Sequence, residues 1–483
     1  MRKLSLILAV GINLVGARAG LAQPPNASAN APQGSGPLRP DQARFRSVYK
    51  ELVETNTSLS VGSCTEAAAK MQAHLAAAGY RSSDLHPFVA PDHPKEGGLV
   101  AVLPGTDPRA KPLLLLAHLD VVEAKRADWQ RDPFTLVEED GYFYGRGSVD
   151  DKAMAATWVD TMMRLKEQHV GLKRTIKMAL TCGEETEGAF NGADYLSTHE
   201  RSLIDAEFAL NEGGGGLLDA AGKPVMVSVE AAEKTPQNYL LTVTSAGGHS
   251  SRPVQPNAIY QLSAGLLKIS AYQFPVMFDD ANRAYFQAMA RIKGGAEGKA
   301  MLALLASPAN AAAYATVDAD PSSNAVLHTT CVATELSAGH ATNALPQRAT
   351  ANVNCRIFPG VSTEAVRETL AKVVADPAIA ITEPDHRGPL AKAPPLTPEV
   401  MDPIRQTSAK YYPGVPVVPI LQAGATDGVF LGAVGIPTYG VAGYFLPPDL
   451  GHIHGLNERI SVRTLYEGRD FLWDLVRLYG MQG

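Results

Sequence analysis

This chain of 483 residues has only four cysteines, three tryptophans, 7% aromatic residues and 19% charged residues. Four cysteines are too few to staple a scaffold of this length. Stability must therefore come from buried apolar side chains, which a 45% hydrophobic composition and a length of two or three domains supply. Neither sign of charge dominates: 43 Lys+Arg against 49 Asp+Glu leave a net charge of -6, without the basic field that nucleic-acid binding needs. There is no C-x-x-C and no Cys/His cluster, which excludes a zinc finger and a dithiol redox motif. No apolar run beyond the N-terminus is long enough to span a bilayer.

The N-terminus reads as a targeting segment. Arg2 and Lys3 form a basic start, Leu4 to Ala17 an apolar stretch, and Ala17-Arg18-Ala19 or Gly20-Leu21-Ala22 a small-residue cleavage site. Residues 1–22 are thus expected to be a signal peptide, and 23–40, rich in Pro, Ala, Asn, Ser and Gly, a flexible leader. The expected product is exported, periplasmic or secreted, with no stable membrane association. In such a compartment Cys64, Cys182, Cys331 and Cys355 permit up to two disulfides in three connectivities. A cross-strand bridge between Cys331 and Cys355, on two β-like runs, is one of them.

From residue 41 to 235, helical and strand-like runs alternate, indicating an α/β layer with a mainly parallel sheet. The pattern changes near Pro236 to an α+β insertion, read as a lid over 236–361 that includes an Ala-rich helical stretch, and alternation resumes over 362–483. One α/β domain in two segments, interrupted by a lid, is the expected architecture.

Chemistry-bearing residues sit where the strands end. The run Leu113 to Ala117 finishes in His118-Leu119-Asp120. Alternation puts His118 and Asp120 on one side, where the carboxylate can accept the N–H of the second imidazole nitrogen and fix the tautomer of a metal ligand. Gly145-Arg146-Gly147-Ser148-Val149-Asp150-Asp151-Lys152 places adjacent carboxylates before a helix, which suits either a cation or a solvated cap. Gly183-Glu184-Glu185 and Asn211-Glu212-Gly213 follow apolar strands, and His452-Ile453-His454-Gly455-Leu456-Asn457-Glu458 offers two imidazoles in a Gly-flanked loop. Each is bland alone, as a satisfied histidine or a charged loop. Five in this order at successive element ends point to a metal centre.

The ordered set H-x-D, G-R-G-x-x-D-D-K, G-E-E, N-E-G and H-G-x-N-E resembles the M-twenty family of dinuclear zinc peptidases, which includes aminoacylases, glutamate carboxypeptidase, succinyl-diaminopimelate desuccinylase and carboxypeptidase S. The resemblance covers the chain from about residue 41 onward. It implies that His118, Asp150 and Glu212 hold one zinc, and Asp150, Glu185 and His454 the other. It also implies that Glu184 is the general base, Asp120 supports His118, and the Asp150-Asp151 peptide is cis. Imidazole and carboxylate ligands suit two Zn²⁺, with Co²⁺ or Mn²⁺ able to substitute. Gly247-Gly248-His249-Ser250-Ser251-Arg252-Pro253 resembles the family's lid motif, whose His stabilises the oxyanion, often from a partner subunit. Asn343 and Arg356 match positions that hold a substrate carboxylate, and Thr426 partly matches the substrate loop.

Two departures from the family accompany this. The Ala-rich stretch from about 271 to 321 implies a longer lid, and Gly424 to Gly428 follows the substrate loop only in part. The implied function is hydrolysis of an amide bond next to a free carboxylate, in a small peptide or an N-acyl amino acid, by a chain able to form a homodimer through the lid. A metal-dependent phosphoesterase would bring more basic groups than Arg356, and an exported binding protein would not need Glu184 and every ligand position.

Overall fold

The computed structural model describes residues 38–186, 190–219, 221–384 and 388–482. The segment read as a signal peptide, and all but the last three residues of the leader, lie outside the described residues. The first segment supplies β1 (Leu85–Phe88), β2 (Gly98–Leu103), β3 (Leu113–His118), the short β4 (Val137–Glu139) and β5 (Tyr142–Tyr144), β6 (Ile176–Thr181), β7 (Phe208–Asn211), β8 (Gly215–Leu218) and β9 (Pro224–Glu233). The insertion carries β10 (Thr235–Thr244), β11 (Gly248–His249), β12 (Thr330–Ala338), β13 (Ala344–Leu345), β14 (Arg348–Ile357) and β15 (Ala380–Thr382). The last segment adds β16 (Val417–Gln422), β17 (Thr438–Gly440), β18 (Phe445–Leu446) and β19 (Arg459–Ser461).

Ten of these strands form one sheet in the order β1-β2-β6-β3-β7-β17-β9-β8-β18, with β16 on β9. Its centre is parallel: β3 runs alongside β6 and β7, and β17 alongside β7. The all-apolar stretch of β3 is explained by coverage on both faces. Leu113, Leu115 and Ala117 join the core under α1 (Pro40–Glu54), α2 (Cys64–Ala77) and α3 (Lys152–Glu167). Leu114 and Leu116 face the opposite way, toward α4 (Gly192–His199). Parallel pairing brings His118, Thr181, Asn211 and Gly440 to one edge of the sheet, the edge where open α/β sheets bind ligands. Because β17 lies between β7 and β9, the two segments are laced into one body around the lid. The mainly parallel α/β architecture expected from the alternation is therefore the observed one.

The lid is a four-stranded antiparallel sheet, β12-β14-β10-β15. Alternate residues of β10 and β14, Tyr239, Leu241, Val243 and Ala349 to Ile357, pack against α6 (Ala258–Ala271) and a helix at Thr363–Val374. That corrects the boundary read at 361. The helix, expected to resume the catalytic domain, instead places Val366, Leu370 and Val374 in the lid core, and β15 extends the lid to Thr382. A stripe at i, i+4, i+8 says that a helix buries one face without saying which core receives it.

The Ala-rich stretch is also corrected. It forms α7 (Asp280–Lys293), α8 (Gly295–Ala306), α9 (Ala311–Asp318) and α10 (Pro321–Ala325), which makes the helix at Thr363–Val374 α11. Phe286, Met289, Met301, Leu304 and Val317 pack on Met226 of β9 and Val418 of β16. These helices cover the margin of the main sheet rather than lengthening the lid, burying a strand whose free edge would invite pairing.

Two disulfides are present: Cys331–Cys355 joins paired residues of β12 and β14, and Cys64–Cys182 joins the first residue of α2 to the residue after β6. The remaining helices are α5 (Arg201–Ile204), α12 (Pro398–Tyr411), α13 (Gly428–Ala433) and α14 (Val462–Met481), the last burying Leu465, Leu472, Val476 and Tyr479 in the main core. Among the described residues no helix is long and apolar enough to cross a membrane.

Candidate active site

His118 is the last residue of β3 and is buried. Its Nδ1 lies 3.0 Å from the backbone carbonyl oxygen of Asp120 and 3.6 Å from the Asp120 carboxylate. The nearer acceptor is thus the carbonyl rather than the side chain expected from alternation. Either acceptor leaves the proton on Nδ1 and aims the Nε2 lone pair outward, as a metal ligand requires. The Asp120 carboxylate instead accepts the backbone N–H groups of Glu184 (3.3 Å) and Glu185 (3.0 Å), holding the turn after β6. Gly183 makes that turn possible: its φ is 94°, and a Cβ there would lie 1.8 Å from the Phe190 carbonyl oxygen.

Asp150 stands just before α3, joined to Asp151 by a cis peptide bond. Its two carboxylate oxygens face different imidazoles. Oδ1 is 3.1 Å from His118 Nε2, and Oδ2 is 3.1 Å from His454 Nε2. Glu212, after the end of β7, brings Oε2 to 3.6 Å from His118 Nε2, and Glu185 Oε1 lies 2.9 Å from His454 Nε2. His118, Asp150 and Glu212 thus meet on one side, and Asp150, Glu185 and His454 on the other. His118 is enclosed while the His454 side chain is 53% exposed, so the centre opens toward His454.

The register between the loops of Asp150 and His454 is set by a residue to which the sequence reading gave no role. Glu458, fully buried, accepts from the Arg146 guanidinium at 2.7 Å and from the backbone N–H groups of Gly147, Val149 and Asp150 at 2.8–3.2 Å. Arg146 in turn donates to the carbonyls of His454 and Gly455. Arg146 belongs to the G-R-G-x-x-D-D-K motif and Glu458 to H-G-x-N-E, and neither motif by itself indicates that the two pair. Asp151 and Asp427 were likewise unassigned. Asp151 comes within 4.8 Å of His118 and Glu212, and Asp427 accepts from Thr181 Oγ1 and Asn191 Nδ2, each at 2.7 Å.

The electrostatics suit a cation. Burial pushes the Glu212 carboxyl up to about 7 and raises that of Glu184 well above the carboxylate range, where the charge of Glu212 adds to it. Burial also raises Glu185. Burial alone would lower His118, but Glu212, Asp120 and Asp150 more than reverse that and hold it well above the ordinary imidazole value. Hydrogen bonds to Asp150 and Glu185 lift His454 to about 10. Glu212 Oε1 and Asp151 Oδ2 are buried without a hydrogen-bond partner. Carboxylates in such excess over two imidazoles are costly in a buried site unless a cation neutralises them. The donor set, imidazole nitrogen and carboxylate oxygen, fits borderline divalent metals.

Four expected substrate-side residues lie apart from the cluster. Thr426 is nearest: its hydroxyl accepts from Asn211 Nδ2, next to Glu212, at 3.0 Å, and its N–H donates to Glu233. It lines a cavity of about 160 Å³ with Glu212, Glu230 and Lys392. Arg356 sits where β14 pairs with Pro236 and Thr330, beside the junction with the main sheet. His249 and Asn343 lie beyond the far end of β14, brought together by the β11–β13 pairing and by Ser250 N–H donating to the Asn343 carbonyl. Arg356 lies eight residue steps along the strand from Arg348, about 26 Å at roughly 3.3 Å per residue. Among the described residues no hydrogen bond or ion pair links His249 to the metal cluster. Its Nδ1 accepts the Ser251 N–H at 3.2 Å, which leaves Nε2 carrying the proton.

Comparison with known proteins gives a consistent answer. A sequence model described as peptidase family M20/M25/M40 matches residues 114–478. Human N-fatty-acyl-amino acid synthase/hydrolase PM20D1 is 28% identical over 407 residues, covering 81% of this chain and 78% of that protein. Mouse aminoacylase-1 is 27% identical over 386 residues, covering 79% and 83%. The crystal structure of the metallo-carboxypeptidase Sso-CP2 from Sulfolobus solfataricus shares the fold, with a TM-score of 0.68 at 19% identity, over 92% of this chain and all of that one.

Proposed function

Since the chain belongs to peptidase family M20/M25/M40 and is an amide-bond hydrolase that depends on metal, we propose that it cleaves an amide bond next to a free carboxylate, in a small peptide or an N-acyl amino acid, with two zinc ions. The observation that carries this reading is Asp150, whose two oxygens each face a different imidazole, the geometry of a carboxylate shared between two ions. His118, Asp150 and Glu212 would hold one, and Asp150, Glu185 and His454 the other. When bound, the pair would act as Lewis acid and lower the pKa of water.

The remaining chemistry belongs to side chains. Glu184, on the turn fixed by Asp120, takes the proton from the attacking water and returns it to the leaving amine. His118 and Asp120 maintain the ligand tautomer. The substrate carboxylate is met by Arg356, whose planar fork suits a bidentate partner.

His249 supplies the N–H that meets the developing oxyanion. It lies with Asn343 beyond the outer end of a strand about 26 Å long from Arg348 to Arg356, while Arg356 is at the inner end. This separation favours His249 serving the site of a second copy, in a homodimer formed through the lid. His249→Ala is expected to lower turnover about a hundredfold or more with metal retained, since one oxyanion donor is worth ~3 kcal/mol. Mixing inactive His249→Ala with inactive Glu184→Ala chains should restore part of the activity through hybrid sites. Failure to restore activity despite measured subunit exchange would place the donor in cis.

Substrate class is tested by mass spectrometry of dipeptides and N-acyl amino acids incubated with zinc-loaded protein, each beside its carboxamide analogue. Hydrolysis of free-carboxylate compounds alone is the expected result. Equal turnover of the carboxamides would overturn the requirement for a carboxylate. Two disulfides support the proposal that the chain is exported to the periplasm or beyond, where such bonds persist.

A further inference from the structure

The turn that carries Glu184 is held from behind by a covalent bond. Cys182 follows the last residue of β6 and precedes Gly183-Glu184-Glu185, and its sulfur is bonded to Cys64 at the first position of α2. Helix α2 is a firm anchor: Ala67, Met71 and Leu75 are fully buried in the main core. Both sulfurs come within 4.8 Å of an Asp120 carboxylate oxygen, and that carboxylate receives the N–H groups of Glu184 and Glu185. The disulfide thus lies behind the Asp120 carboxylate, which holds the catalytic turn together with Asn191, whose Nδ2 donates to the Gly183 carbonyl at 3.2 Å. The bridge is buried yet lines a cavity of about 200 Å³ with Ser63, His93, Asp120 and Thr186.

From this arrangement we propose that the Cys64–Cys182 disulfide is a positioning element for Glu184, and that its reduction slows turnover while substrate binding is kept. The reductant is a small dithiol. Its two thiols are oxidised to a disulfide, and two electrons and two protons pass to Cys64 and Cys182, which become two thiols. The freed sulfurs no longer brace Asp120, and the turn gains freedom at the position where proton transfer needs a fixed distance. An error of about 1 Å in a reacting group costs up to about 10²-fold. The proposal rests on Glu184 being the general base. Its test therefore includes a readout that needs no substrate.

The experiment compares wild type, C64S/C182S and C331S/C355S, the last removing the lid disulfide as a control for general loosening. In C64S/C182S, kcat is expected to fall about ten- to a hundredfold with KM within about twofold, and amide hydrogen exchange at Glu184 and Glu185 to speed up about tenfold or more. C331S/C355S should keep wild-type kcat and exchange at these two amides. Treating C331S/C355S with a dithiol should reproduce the C64S/C182S values, and reoxidation should reverse them, which keeps the test open if C64S/C182S fails to fold. Wild-type kcat and exchange in C64S/C182S would overturn the proposal, as would an equal loss in both double variants. Faster exchange without any amide hydrolysis by the wild type would uphold the positioning and reject the substrate reading.

Discussion

Glu184→Gln is expected to lose turnover by about 10²- to 10⁴-fold, the range that a positioned general base supplies, with bound metal unchanged. The substitution keeps the volume and one acceptor oxygen but cannot take a proton. Its backbone N–H still reaches Asp120, so the turn is preserved. Glu184 is placed outside the ligand pairs formed by His118, Asp150, Glu185, Glu212 and His454. Metal analysis and turnover therefore separate. Steady-state kinetics with elemental analysis check this, and turnover within about threefold of wild type would assign the base to another residue. Glu185→Gln, one position on, should weaken metal binding on the side that Glu185 shares with His454.

What the sequence made legible was what parallel β-structure dictates locally. A strand covered on both faces reads as an unbroken apolar run, and Leu113 to Ala117 announced the centre of the sheet. His118 at the end of such a strand, and Glu184 and Glu212 past the ends of theirs, are thereby placed on one edge of the sheet. The structure adds what depends on distant partners. Glu458 is 308 residues from the Asp150 amide it binds, and Arg146 reaches carbonyls of the His454 loop. No periodicity encodes such a pairing. The Asp120 carboxylate shows the same limit: alternation put it on the side of His118, but the turn after β6 offered two backbone donors that only the folded chain brings near.

The lid was legible as a change of pattern but not as a boundary. Helix α11 carries the same apolar stripe whether it packs on the main sheet or on the lid, and the choice is made by Ile379 and β15 beyond it. The Ala-rich helices were misplaced for a related reason. Their partners, Met226 and Val418, lie on strands separated from them by tens of residues, one before and one after.

On the proposed two-ion reading, Asp150→Ala is expected to strip both metals, from two per chain to near none, whereas His454→Ala should lose about one. The reasoning is geometric. Asp150 gives one oxygen to the His118 side and the other to the His454 side, so its loss removes a ligand from both groups, while His454 belongs to one. The electrostatics reinforce this, because removing a carboxylate from a crowded acidic cluster lowers the demand for cations as well as the number of ligands. Thermal unfolding gives an independent reading. Zinc added at about a hundred times its Kd stabilises the protein that binds it by ~2.7 kcal/mol per site. Wild type should therefore melt at a higher temperature in zinc than in chelator, and Asp150→Ala at the same temperature in both. Two zincs per chain in purified Asp150→Ala, or an undiminished zinc-dependent shift in its melting, would show that this carboxylate is not shared between the ions.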